Sequence, residues 1–574
     1  MTLTAPPRPD QPASGSVAER APKRPLQPER IAAILTLIAL VVASVAALID
    51  IDISLGNVSD SVDNAERFFH RVGGLKFPEA GELLSLTLLT LGLVLTGTLL
   101  AAALSVPIAY LAAENTSPGP GWRAAARFIG VLARAVPDVV LAMVFVLLFS
   151  LGSLPGILAI GLHSIGMISK MFADAIEQID EGPRLAIRAG GGSRLQEFGS
   201  GVLPQVMPSW VATVLHRNDI NLRGSVILGY VGVAGLGLEM SYAFKSLDYG
   251  LGLGIALVMF LLCVGMEIVS STVRAAMLGT GGSGGFGARI AGLLRRRGAA
   301  DTALPGDIFA TPGAALRRPW TLSRVRNVTA GWVAAILVVL AVWVSDITWS
   351  DFLTFWAKLP PVLASFWPPN FGVYGAETMF RAMWDTIVIA LAATLLAIIA
   401  SLIIGSLAAR NVAPNRPVRG GFRLLLVVIR GIPELILAIV LIVITGLGGQ
   451  AGTLALAIGG VGLLGKLIAD SLEEVPGGPE RALAAAGAGR GQIFAGATVP
   501  QSTRALIGHS FYMLDTNIRS ATMLGLVGAG GVGYYLLNAG QGSNYQLVSS
   551  IVLMILVTVL LVEGLAMWMR RVFR

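Results

Sequence analysis

Shifted by 296 positions, the chain matches itself without a gap from about Ala112 to Gly237. Asn115 falls on Asn411, Arg134 on Arg430 and Pro137 on Pro433. Lys170, Asp174 and Glu177 meet Lys466, Asp470 and Glu473, and Gly191, Arg194 and Pro204 meet Gly487, Arg490 and Pro500. Glu267 still falls in register on Glu563. A series of charged, Pro and Gly coincidences is not produced by chance. Internal repetition constrains the topology before any local propensity does, because each copy must build a like unit.

The solvent for those units is a bilayer. Only 13% of the residues are charged, against about 25% in soluble proteins. Ile31 to Ile49 and Leu83 to Ala113 contain no charge, and runs of this length cross a ~30 Å hydrocarbon core. Apolar spans fall near 31–49, 84–111, 136–151, 154–176, 203–236 and 250–273 in the first copy. The second copy has them near 328–345, 382–407, 432–447, 452–472, 499–532 and 546–569. The expected fold is therefore an all-α integral membrane protein of two parallel six-helix repeats, about twelve spans in all. An even count inserts both copies the same way, with a pathway between them.

Arginines set the direction by the positive-inside rule. They cluster in residues 1–30, in 276–325 and at Arg570, Arg571 and Arg574. These regions, and the loops at 112–130, 177–200, 408–426 and 473–496, are expected in the cytoplasm, with 50–82 and 346–380 outside. Four segments follow: a disordered cytoplasmic tail over 1–30, a first unit over 31–275, a Gly/Ser-containing cytoplasmic linker over 276–325, and a second unit over 326–574. The expected location is a bacterial cytoplasmic membrane, multi-pass, with both termini inside.

Other chemistries find little support. The +8 net charge sits at span ends and in short segments, which argues against nucleic acid. Cys263 is the one cysteine and the four histidines are scattered, so neither a disulfide framework nor a metal site is expected. No G-x-x-x-x-G-K-[ST] occurs, so the chain itself lacks this nucleotide-binding motif and is expected not to be an enzyme. Gly528-Ala-Gly530-Gly531-Val-Gly533 fits a dinucleotide fingerprint, but it lies inside a membrane span rather than in a βαβ unit.

Two segments repeat most closely. The first runs L-A-I-R-A-G-G-G-S-R-L-Q-E-F-G-S-G-V-L-P over 185–204 and R-A-L-A-A-A-G-A-G-R-G-Q-I-F-A-G-A-T-V-P over 481–500. Ala186 and Ala482 sit in Ala-containing stretches that favour helix. Gly191 and Gly487 are placed to end a short helix with positive φ. Leu203-Pro204 and Val499-Pro500 open the next span, since Pro is tolerated in a first turn. The second segment runs Asp219-Ile-Asn221-Leu-Arg223 and Asp515-Thr-Asn517-Ile-Arg519, followed by Gly-rich stretches from Gly229 and Gly525. Glycine runs in a span mark broken helix, tolerated where protein or a wet path surrounds it. Buried charge in a span is costly and faces a cavity or a partner. The two arginines therefore line a path, pair with the neighbouring aspartates, or reach an interface.

The first segment resembles the loop shared by permeases of ABC importers. Gly191 and Gly487 each stand 13 residues before the Pro, as the family pattern has it, although Leu185 and Arg481 replace its Glu. The second segment resembles the phosphonate-type ABC permease family. That resemblance implies a type I importer (MetI-like) permease fold, here as a fused tandem. It further implies that the coupling residues Ala186, Gly191, Leu203, Pro204, Ala482, Gly487, Val499 and Pro500 dock on two copies of a cytoplasmic ABC ATPase, which bind the ATP and Mg. An extracytoplasmic substrate-binding protein would deliver the solute, a phosphonate or phosphate-like oxyanion. The pathway or gate would be formed by Asp219, Asn221, Arg223, Gly229, Asp515, Asn517, Arg519 and Gly525. The D-x-N-x-R element is expected in the outer part of the bilayer, 15 residues past Pro204. Alternatives are an ABC permease for methionine or an osmoprotectant, and an ion-coupled secondary transporter with Glu267 and Glu563 as proton carriers.

Overall fold

A computed structural model describes residues 28–52, 64–68, 70, 72–278 and 322–572. The expected disordered tail and most of the linker lie outside the described residues.

The first unit begins with α1 (Pro28–Asp50) and α2 (Ala80–Ala112). An elbow follows, made of α3 (Pro120–Ala135) and α4 (Asp138–Phe149), and then α5 (Ser153–Glu177). Two short helices, α6 (Glu181–Ala189) and α7 (Arg194–Gln196), lead through a π-helical turn into α8 (Leu203–Gly229). The unit closes with α9 (Leu236–Lys245) and α10 (Tyr249–Leu278). In the second unit, α11 (Leu322–Val344) is followed by α12 (Asp351–Ser365). The series then repeats as α13 (Gly375–Ala408), α14 (Arg416–Gly431), α15 (Glu434–Thr445) and α16 (Gly449–Glu473). The short α17 (Gly477–Ala485) and α18 (Arg490–Ile493) precede α19 (Val499–Gly525), α20 (Val532–Gln541) and α21 (Tyr545–Val572).

Seven of these helices are long and apolar enough to cross a membrane unaided, or nine with each elbow taken as one span. The broken pairs α8/α9 and α19/α20 and the shorter α11 complete two sets of six. The elbows correct the sequence expectation. Residues 112–130 and 408–426 were expected as loops, yet both carry amphipathic helices bent by 84° and 82° from the apolar helices that follow. The cause is local. Pro137 and Pro433 bar helical backbone at the preceding residue, and Val136 and Ile432 are extended, with ψ of 122° and 119°.

Identical staples hold each elbow. Arg127 Nε donates to Ala112 O at 3.2 Å and Arg423 Nε to Ala408 O at 3.1 Å. Glu177 pairs with Arg127 at 3.0 Å, and Glu473 with Arg423 at 2.9 Å. Asn115 and Asn411 each donate from Nδ2 to a carbonyl at the end of the fourth span, Ile176 and Leu472, at 2.8 Å.

The units exchange their first helices. α1 packs on α13 and α21 of the second unit, while α11 packs on α2 of the first. Ala33, Phe511, Ala566 and Met569 form one seam of this exchange, and Ala47, Val388 and Ala392 another. On the other side Gly92 lets α11 approach closely: a Cβ there would meet Ala341 O at 3.0 Å. Ser153 donates to Ser345 O across the same joint.

Candidate functional site

Ion pairs link the two units at both elbows. Arg430, at the end of α14, reaches into the first unit and lies 3.2 Å from Glu267 on α10 and 3.3 Å from Asp219 on α8. Arg223, one turn past Asp219, pairs with it and stands 3.7 Å from Glu267. Arg274 completes this cluster, 3.6 Å from Glu267. On the opposite side Arg134, at the end of α3, pairs with Glu563 on α21, and Arg519 pairs with Asp515. The arrangement is reciprocal but unequal. Three arginines and an Asp219 side chain of 0% exposure share one network, whereas Asp515 is 17% exposed and its pair stands apart from that of Glu563. Asp219 Oδ1 and Arg223 Nε keep no hydrogen-bond partner.

In the sequence Arg134 and Arg430 stand out as repeat partners, each three residues before a Pro. Their place at the unit interface was missed. The available signal was that Arg134/Arg430 and Glu267/Glu563 recur in one register. Glu267 is 11 residues before the linker-side end of α10, roughly 17 Å from that end. The D-x-N-x-R element itself lies on α8, with Asp219 16 residues after Leu203 and 10 before Gly229.

Asn221 and Asn517 tie the fifth span to the second. Their Nδ2 atoms donate to Thr98 Oγ1 at 2.9 Å and Thr394 Oγ1 at 2.8 Å. Beyond them, Gly229 and Gly525 permit a hairpin. A Cβ on Gly229 would lie 2.1 Å from Gly237 C, and one on Gly525 would lie 2.6 Å from Gly530 O. The re-entrant helices that follow are capped from the second span: Leu236 N and Val532 N donate to Thr90 and Thr386 Oγ1, each at 2.9 Å. The G-x-G-x-x-G run from Gly528 is this hairpin, flanked by α19 and α20.

The projecting turns lie together at the linker-side end of each unit. Gly191 and Gly487 have φ of 79° and 84°. Gly192 N donates to Ile187 O at 2.9 Å and Ala488 N to Leu483 O at 3.0 Å, closing both helices alike. Ala186 and Ala482 accept from the next turn, and Leu203-Pro204 and Val499-Pro500 open the long helices. Their electrostatics differ. Arg184 is held by Glu181, by Glu197 at 2.7 Å and by Asn115 O at 2.8 Å. Burial opposes its charge, but the two carboxylates hold the guanidinium above its ordinary range. In the second unit an acid takes that place: Glu480 accepts from Thr498 at 2.6 Å and Asn411 at 3.0 Å.

Two repeated bundles, broken helices facing one another across a charged seam, and paired projecting turns define a membrane transport permease. The chain belongs to the binding-protein-dependent transport system inner membrane component family, whose model matches residues 105–277 and 401–574. It is 39% identical to the phosphate-import permease protein PhnE of Mycolicibacterium smegmatis over 89% of each chain. It is 37% identical to the phosphite transport system permease protein PtxC of Stutzerimonas stutzeri over 32% of this chain and 67% of that one. A probable D-methionine transport system permease protein MetI of Pasteurella multocida is 29% identical over 31% of this chain and 87% of that one.

Proposed function

We propose that the chain is the complete transmembrane permease of an ATP-driven importer for phosphate, phosphite or phosphonate. The observation that carries this reading is the match to a phosphate-import permease over 89% of both chains, a span that takes in both units. Two cytoplasmic ATPase subunits dock on the turns containing Gly191 and Gly487 and supply ATP, Mg and hydrolysis, while this chain makes and breaks no covalent bond. An extracytoplasmic binding protein delivers the anion at the face bearing the glycine breaks. Both termini and residues 276–325 lie in the cytoplasm.

The charged seam suits a gate. Arg430 and Arg134 sit at the bends of the elbows, so a tilt of either elbow transmitted from the docking turns shifts a guanidinium relative to Glu267 or Glu563. Arg223 and Arg519 are matched by Asp219 and Asp515 in this conformation. They become available to an anion only when those pairs part, so the D-x-N-x-R elements act as switched rather than standing anion contacts. Such transient contact suits a path that must release what it attracts.

The test is reconstitution of the chain in proteoliposomes with its ATPase and binding protein, followed by uptake of radiolabelled phosphate. ATP-dependent accumulation that unlabelled phosphite or methylphosphonate suppresses is expected. Uptake of methionine or choline, without any phosphorus oxyanion, would overturn the substrate reading.

A further inference from the structure

The arginines of the charged seam are paired with carboxylates, which leaves open where an arriving anion first finds positive charge outside that seam. A cavity of about 260 Å³ opens between the units on the side of the glycine breaks. Tyr230, Tyr242 and Lys245 line it from the first unit, and Gln541 and Tyr545 from the second. No acidic side chain is among its described lining residues. The Lys245 ammonium is exposed at the mouth and lies 5.8 Å from the centre of the Tyr230 ring. Tyr230 itself is 9% exposed, and its hydroxyl has no hydrogen-bond partner. A buried hydroxyl left without a partner is costly unless something occupies the space beside it.

We propose that this cavity is the receiving site for a tetrahedral oxyanion, with Lys245 as its charge partner and the Tyr230 hydroxyl as its buried donor. The inference rests on the oxyanion reading above and adds to it a place and a donor set. The volume equals the liquid share of about nine waters, enough for one such anion with part of its hydration shell. Three phenols, an amide and an ammonium are all donors, and an oxyanion is rich in acceptors. Gln541 stands 296 positions after Lys245, so the repeat supplies a cation on one side and a neutral amide on the other. A pathway with one cation attracts an anion without the double charge that would hold it.

The experiment uses the full-length purified chain. Amine acylation at Lys245 is followed by mass spectrometry with inorganic phosphate or with potassium chloride at matched ionic strength, taking Lys76 as the internal reference. Phosphate should slow acylation at Lys245 roughly tenfold at ten times its dissociation constant, chloride should not, and Tyr230→Phe should weaken the protection. In the reconstituted transporter Lys245→Gln should raise the KM for phosphate while binding-protein docking stays intact. Equal acylation with phosphate and chloride overturns the site. Phosphate uptake without Lys245 protection removes the site and leaves the proposed function standing. Protection without uptake of any phosphorus oxyanion removes the proposed function and leaves the site.

Discussion

Arg430 of the second unit lies 3.2 Å from Glu267 of the first, and Arg134 of the first pairs with Glu563 of the second. These residues are related by the same 296-residue shift, so one sequence device closes the interface twice. Removing one partner of a buried pair strands the other charge, at about 3–5 kcal/mol. Arg430→Gln is therefore expected to lower the thermal unfolding temperature of the detergent-solubilised chain, and to do so more than Arg134→Gln, whose side chain is 20% exposed against 9% for Arg430. Glu267→Gln combined with Arg430→Gln should be milder than the sum of the single changes. Strict additivity in the unfolding data would count against the contact.

At Gly191 and Gly487 a Cβ would meet nothing within 4 Å, yet φ is 79° and 84°. The cost of a side chain there is backbone strain alone, about 1–2 kcal/mol. Replacement by Leu should impair ATPase stimulation or assembly with little effect on membrane insertion. Replacement by Asn, which tolerates this conformation, should largely preserve both. Stimulated ATP hydrolysis with the partner subunits is the readout, and normal rates in both Leu variants would remove the turns from coupling.

The Asn221–Thr98 and Asn517–Thr394 hydrogen bonds span 123 residues each. A double-mutant cycle of Asn221→Ala with Thr98→Val should give an interaction energy of about 0.5–2 kcal/mol, measured by unfolding. The same cycle at Asn517 and Thr394 should give a similar value. A coupling near zero in both would make these asparagines something other than struts between the second and fifth spans.

Orientation is tested by labelling. Cys263 is buried, so single cysteines placed next to Arg296 and at Trp349 report cleanly in intact cells. A membrane-impermeant maleimide should label the Trp349 position and leave the one near Arg296 untouched. The reverse pattern would invert the topology.

The repeat, the twelve spans and the broken fifth helices were legible because each leaves a mark along the chain: a shift, an apolar run, a glycine series. The elbows at 120–135 and 416–431 were not, since an amphipathic helix carrying Arg416, Arg419, Arg423 and Arg430 reads locally as a polar loop. Nor was the exchange of α1 and α11, because lipid-facing and protein-facing apolar helices share one composition. Lys245 and Tyr230 went unnoticed for a related reason. Neither repeats, as Gln541 and Leu526 occupy the matching positions, so comparison of the two copies passes over them.

The exchange of first helices bears on how the chain is made. Synthesis proceeds from the N-terminus, so α1 is inserted long before α13 and α21, on which it packs, have left the ribosome. The groove on α2 beside Gly92 waits a shorter time, because α11 is the first helix of the second unit to appear. Maturation is therefore lopsided in time. One joint closes when translation is little more than half complete, and the other stays open to lipid until the last helix arrives. An immature chain stalled after residue 344 would hold α1 without its docking partners, which makes that helix the natural handle for any quality-control protease that surveys half-made transporters.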